Sequence, residues 1–369
     1  MENKKNIFIV LFIVGVVIAF FFFVSVFKKN ALSLAVSGIS PMKTLLQGSS
    51  VNHPLSIETM RKQLFPGSDL VIEETLADAG NYHQYIASYQ SEGLKIYGLL
   101  TVPTTDKPAT GFPVIIFNHG YIAPNTYVTT ERYVAYVDAF ARNGYIVFKP
   151  DYRGHGNSDG KPEGTYYSPA YATDVLNALA SIKKLKDPST GASTELRRTS
   201  SGQAADPNRI GMWGHSMGGN IILRDIVVDT KDIKAAVIWG GVVGSYDDLL
   251  NNWHKRAVYQ PGPQELALRN NYRKNLTDQY GTPDTNPSFW KAIDPLSYIS
   301  DITAPIQLHT GELDEEVPAE FSAAFYEKLI LAKKPAEYYI YPGGDHDISS
   351  PNFELAMDRS IQFFDRYLK

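Results

Sequence analysis

The chain contains no cysteine among its 369 residues. Disulfides, thiolate metal centres, a cysteine nucleophile and a lipid-modified N-terminal cysteine are therefore excluded by chemistry. An excess of basic charge is lacking too: 35 Lys and Arg stand against 39 Asp and Glu, a formal net charge of -4. Such a surface does not bind phosphate backbones by counterion release, and no zinc-finger or aromatic-basic motif is present, so nucleic acid is not expected as a partner. No histidine spacing matches a metal-ligand pattern, and neither metal nor cofactor is expected. What is present is a globular composition, 44% hydrophobic and 20% charged, able to bury a large core in one big domain or two ordinary ones.

Charge is missing altogether from Ile7 to Phe27, with Lys4 and Lys5 ahead of the run and Lys28 and Lys29 behind it. At about 1.5 Å per residue such a helix spans a hydrocarbon core of roughly 30 Å. A run that is apolar all round, rich in aromatics and fenced by lysines predicts an N-terminal transmembrane helix, with residues 1–29 as membrane anchor. Small residues from Ala31 to Ser37 leave cleavage as a signal peptide, and hence secretion, as the alternative. The run exceeds the usual apolar core of about 7–15 residues in such peptides. Flanking lysines on both sides bias orientation weakly; the expectation is N-terminus inside and the remaining domain extracytoplasmic. Residues 30–80 are read as a linker or stalk.

From residue 81 to 369 the pattern changes. Tyr82 to Tyr89 and Leu94 to Val102 read as an antiparallel hairpin around Ser91, Glu92 and Gly93. Apolar strands then alternate with helical stretches: strands at Val114–Asn118, Ile146–Pro150, Arg209–Trp213 and Ala235–Trp239, helices at Thr130–Asn143, Tyr171–Leu185 and Gly219–Asp229. This rhythm predicts an α/β domain with a mostly parallel sheet and helices on both faces. Polar, aromatic-rich sequence at about 242–303, including Trp253, His254, Tyr259, Tyr272, Tyr280, Phe289 and Trp290, reads as a helical cap whose aromatics mainly pack on one another. Ile306–Thr310, Ala319–Ala332, Glu337–Tyr341 and Asn352–Tyr367 resume the alternation.

Within it, Gly214-His215-Ser216-Met217-Gly218 follows the strand ending at Trp213 and precedes a helix. A serine at a tight strand-to-helix turn has its hydroxyl pushed into the open, and the flanking glycines remove side chains that would collide. The helix N-terminus behind it favours developing negative charge. Serine is a poor nucleophile near neutral pH, so this arrangement needs a histidine to take its proton and a carboxylate to hold that histidine. In an α/β-hydrolase the order is Ser, acid, His. Asp314 lies just past the strand Ile306–Thr310, and His346 just past Glu337–Tyr341, both at carboxyl ends of consecutive strands where open sheets place their ligands. Glu312, Glu315 and Glu316 surround Asp314 and are alternative orienting acids.

For the oxyanion, Met217 N–H supplies one donor and Tyr121 N–H, in Phe117-Asn118-His119-Gly120-Tyr121, the second. His119 is read as bracing that loop. The glycine-rich stretch Asp151 to Gly160 lacks the GK[ST] ending of a phosphate loop and is read as a bend with Arg153 in an ion pair.

These stretches together resemble the catalytic domain of the prolyl oligopeptidase family of serine peptidases, in its dipeptidyl aminopeptidase and acylaminoacyl-peptidase-like branch. The carriers are Pro150-Asp151-Tyr152-Arg153-Gly154, Asp206-Pro207-Asn208-Arg209-Ile210-Gly211 leading into Gly214 to Gly219, Gly311 to Pro318, and His346. The resemblance implies a triad of Ser216, Asp314 and His346, no cofactor, and short peptide or acyl-amino substrates. Members acting on oligopeptides carry a β-propeller that the stretch ahead of the hairpin is too short to build. The His119-Gly120-Tyr121 form resembles the acetyl xylan esterases of the wider fold, so a carboxylesterase acting on small acyl esters is the alternative. A non-catalytic adhesion or binding domain is the remote one.

Overall fold

The structure, a computed structural model, describes residues 52–186, 188, 202–253 and 263–369. The uncharged run at 7–27 lies outside the described residues, and among these no helix is long and apolar enough to cross a membrane.

Nine strands are hydrogen-bonded into one sheet: β1 (Val71–Thr75), β2 (Tyr82–Ser91), β3 (Leu94–Pro103), β4 (Phe112–Asn118), β5 (Ile146–Pro150), β6 (Ala205–His215), β7 (Ile233–Trp239), β8 (Ile306–Gly311) and β9 (Ala336–Tyr341). Their order is β1-β2-β3-β5-β4-β6-β7-β8-β9. The first three join antiparallel, β3 meets β5 antiparallel, and every later pairing is parallel. This is the α/β-hydrolase arrangement. The hairpin turn is tighter than the expected three residues. Ser91 pairs with Leu94, leaving Glu92 and Gly93 as a two-residue loop with φ of 51° and 80°, the double positive φ that matches strand twist.

Side chains alternate between two cores, as a sheet covered on both faces requires. On β4, Val114 and Ile116 point into one core while Ile115 and Phe117 point into the other. The first is covered by α1 (Ile57–Met60), α3 (Ala170–Ile182), α4 (Met217–Val228) and α7 (Ala319–Leu331). The second is covered by α2 (Val134–Arg142) and α8 (Phe353–Leu368). Helix α8 shows why it packs there: Ala356, Met357, Ser360, Phe363 and Phe364 form a buried i, i+1, i+4, i+7, i+8 stripe.

Two regions extend the sequence reading. Residues 52–80, read as stalk, lie against the α/β unit instead. Leu55, Ile57 and Met60 are fully buried, Arg61 binds the Val227 carbonyl and Asp301, and β1 pairs along β2. The exposed, polar β1 is an edge strand and so shows no alternating apolar signal. Between β7 and β8 lie a π-turn at Asp248–Asn252, α5 (Pro263–Tyr280), α6 (Pro287–Ile293) and 3-10 turns at Pro295–Asp301. Phe289 and Trp290 are buried there, and Tyr280 stacks on Phe289 at 3.9 Å. His254 and Tyr259 lie outside the described residues.

The chain passes from β4 to β5 on one side, then returns to β6 on the other. This reversal opens a crevice at the carboxyl ends of β4 and β6.

Candidate active site

At that crevice β6 ends at His215 and α4 begins at Met217, so Ser216 makes the bend. Its backbone sits at φ 54°, ψ −117°, outside the regions L residues favour, at a cost of about 1–3 kcal/mol. Neighbouring backbone holds it there. Ser216 N–H donates to the Trp239 carbonyl, and the Ser216 carbonyl accepts from Gly219 and Val242 N–H, each at 3.0 Å. The flanking glycines are required by close approach: a Cβ on Gly218 would lie 2.0 Å from the Asn118 carbonyl oxygen, and one on Gly214 would lie 2.8 Å from that of Gly218.

Asp314 and His346 come from the loops after β8 and β9, which pair in register through Gly311 and Tyr341. Asp314 Oδ1 accepts the N–H groups of Glu316 at 2.9 Å and Val317 at 2.8 Å, so the loop's own backbone orients the carboxylate. His346 Nδ1 lies 2.8 Å from Asp314 Oδ2 and 3.0 Å from Oδ1. With the Nδ1 proton given to Asp314, Nε2 is the acceptor. The neighbouring acids stand elsewhere. Glu312 accepts the Gly343 N–H at 3.0 Å, and Glu316 Oε2 lies 3.8 Å from Nε2, the opposite ring nitrogen.

Burial lowers the proton affinity of His346, but the hydrogen bond and charge of Asp314, supported by Glu316 and Asp347, outweigh it and leave the imidazole above the ordinary histidine range. Ser216 and His346 line one open cavity of about 740 Å³, walled in part by Tyr121, Tyr133, Phe353 and Glu316. Among the described residues no hydrogen bond joins the Ser216 hydroxyl to Nε2, which has Glu316 Oε2 at 3.8 Å; catalytic contacts of this kind tighten in the Michaelis complex.

Of the two expected oxyanion donors, Tyr121 lines this cavity and Met217 directly follows the Ser216 bend. Asn118 pairs with Gly214, which sets the loop carrying Tyr121 beside the bend carrying Met217. Met217 opens α4, where an N–H has no acceptor within its own helix. His119 does not line the cavity. Its buried ring stacks between Tyr127 and Tyr152, at centroid distances of 4.8 and 4.3 Å, with Nδ1 2.7 Å from the Gly120 carbonyl. Arg153 makes the expected ion pair, gripping the buried Asp174 and reaching Glu92 at 2.8 Å. Among the described residues, no group of three or more His, Asp or Glu side chains is placed to hold a metal ion.

One residue at the site carries no sequence signal. Tyr133, between β4 and α2, has φ 54°, lines the cavity, and bonds both Gly120 N–H at 3.0 Å and His215 Nδ1 at 2.8 Å. Its partners are 13 and 82 residues away, and no motif or periodicity links them.

The family model "Prolyl oligopeptidase family" matches residues 132–369, more than half of the chain and including both the Ser216 bend and the two later loops. The chain belongs to the prolyl oligopeptidase family. It is a serine hydrolase, and its relatives differ in extent. It is 26% identical over 265 residues to the uncharacterized peptidase YtmA of Bacillus subtilis (strain 168), covering 71% of this chain and 85% of that protein. It is 25% identical over 291 residues to dipeptidyl peptidase 8 of Mus musculus, covering 75% of this chain but only 28% of that much longer protein. Among solved structures, an acetyl xylan esterase from Paenibacillus sp. R4 superposes with a TM-score of 0.60 at 18% identity, covering 85% of this chain and 92% of that one. The last likeness concerns the fold alone.

Proposed function

We propose that this prolyl oligopeptidase family hydrolase acts through an acyl-enzyme on Ser216, with short peptides or acyl-amino compounds as substrates. The supporting observation is the pairing of a buried Asp314 with His346 Nδ1 on the cavity that also receives the strained Ser216. In this reading His346 Nε2 takes the hydroxyl proton as Ser216 attacks the substrate carbonyl, and Asp314 stabilises the imidazolium. Met217 and Tyr121 N–H groups hold the oxyanion of the tetrahedral intermediate. Collapse expels the leaving group, which takes its proton from His346, and water enters by the same route in reverse to release the acid. No cofactor takes part in this sequence.

A second reading, a carboxylesterase or acetyl esterase on small acyl esters, is favoured by a specific observation. That observation is the His119-Gly120-Tyr121 loop, whose form resembles that of acetyl xylan esterases and whose Tyr121 lines the cavity. A panel of N-blocked aminoacyl and dipeptidyl amides set against acetyl and propionyl esters separates the two. The amides, corrected for their intrinsic stability, are expected to show the larger rate acceleration; acceleration confined to the esters reverses the order. The lysine-fenced run Ile7–Phe27 supports placing this activity at a membrane, with the hydrolase domain outside the cytoplasm.

A further inference from the structure

His215, the residue before the Ser216 bend, is buried and faces the cavity wall with both ring nitrogens engaged. Nδ1 lies 2.8 Å from the Tyr133 hydroxyl oxygen, and Nε2 lies 3.1 Å from the carbonyl oxygen of His346 and 3.5 Å from Asp347 Oδ1. The Tyr133 oxygen in turn lies 3.0 Å from Gly120 N. The chemistry of the two ends fixes every role between them. Gly120 N–H can only donate, so the Tyr133 oxygen accepts. The tyrosine then has one hydrogen to give, and Nδ1 of a neutral His215 receives it. The imidazole proton is left on Nε2, where a carbonyl that can only accept is waiting.

We infer that Tyr133 and His215 form a positioning relay, Gly120 N–H to Tyr133 O–H to His215 to the His346 carbonyl, which sets the loops carrying the oxyanion donor and the general base in register with Ser216. The inference rests on the proposed roles of Ser216, His346 and Tyr121, and it assigns positioning roles to two residues of the cavity wall. Two further observations support it. The loop after β4 presses directly on the bend: a Cβ on Gly120 would lie 2.6 Å from the Tyr133 hydroxyl oxygen, 3.2 Å from His215 Nδ1 and 3.2 Å from Ser216 Cβ. Burial first, and then the adjacent His346, lower the proton affinity of His215 and so favour the neutral ring that these contacts require.

The test is a double-mutant cycle of Tyr133→Phe and His215→Gln, with His215→Phe as the more severe variant. Steady-state kcat and KM on a turned-over ester and the rate of phosphonylation by a fluorophosphonate, a reaction that also needs the oxyanion donors, are read for each. Each single substitution is expected to lower kcat and the phosphonylation rate in parallel by about 10- to 100-fold, with KM changed less than about threefold. The double variant is expected to be no slower than the poorer single one, and Gln, which keeps a donor for the His346 carbonyl, is expected to lose less than Phe. Losses that multiply in the double variant, or that fall on KM alone, overturn the relay while leaving the nucleophile assignment intact. If His215→Phe does not fold, the Tyr133→Phe and His215→Gln cycle carries the same decision. Absence of phosphonylation in the unaltered enzyme overturns the Ser216 reading and the relay with it.

Discussion

Asp314→Asn is expected to lower kcat by about 10⁴-fold in a protein that still folds. The asparagine keeps a carbonyl oxygen for the Glu316 and Val317 N–H groups that hold this loop, so the backbone has no reason to move. Its amide nitrogen, however, faces His346 Nδ1 where a carboxylate now lies 2.8 Å away. A donor there drives the imidazole proton onto Nε2, the nitrogen that has to accept from Ser216. The pH profile reports on the same pair. Because the pair raises His346, activity of the unaltered enzyme is expected to fall with acidity through a midpoint above about 6.5, the value of a free histidine. Acid protonates the base and removes the acceptor, so the loss lies on the low-pH side. With Asp314 neutralised, the residual activity is expected to titrate at lower pH than before. Steady-state rates from pH 5 to 9 on both proteins check both expectations; a variant within tenfold of the parent shows that Asp314 does not orient the base.

Gly218→Ala is expected to have the largest effect on stability. The added methyl would lie 2.0 Å from the Asn118 carbonyl oxygen and 2.7 Å from its carbon, and both are backbone atoms of a central strand. A flexible side chain could swing away from such a contact; β4 cannot, because it is paired with β5 on one side and β6 on the other. Helix α4 and the Ser216 bend must then shift together, at roughly 3 kcal/mol or more. Thermal unfolding is expected at a midpoint at least ~6 °C lower, with loss of activity beyond what the unfolded fraction explains. A variant of unchanged midpoint and full rate contradicts the close seating of α4 on β4.

Much of this was legible in the chain because the relevant signals are local. Ile146–Pro150 is recovered residue for residue, and the other central strands of the sheet within a few residues, since each is a short apolar run closed by turn residues. The Ser216 bend is visible because the residues that permit it, Gly214 and Gly218, are neighbours of the one that uses it. Residues 52–80 are different: their anchors Leu55, Ile57 and Met60 are few, and β1 exposes most of its side chains, so no periodicity distinguishes a strand from a stalk. Tyr133 was illegible for a related reason, since it sits in an irregular loop in the left-handed region and its partners arrive only when β4 and β6 align. The acids after β8 form an intermediate case. Composition leaves four carboxylates open, and folding separates three of them: Asp314 onto Nδ1, Glu312 onto a turn N–H, and Glu316 toward the far side of the ring.

The most direct measurement is reaction of the pure protein with a fluorophosphonate, followed by peptide mapping of the adduct. A single adduct on Ser216, absent from Ser216→Ala and nearly absent when His346 is protonated, is the expected result. An intact protein that takes up no probe, or a Ser216→Ala variant labelled as strongly as the parent, contradicts the account.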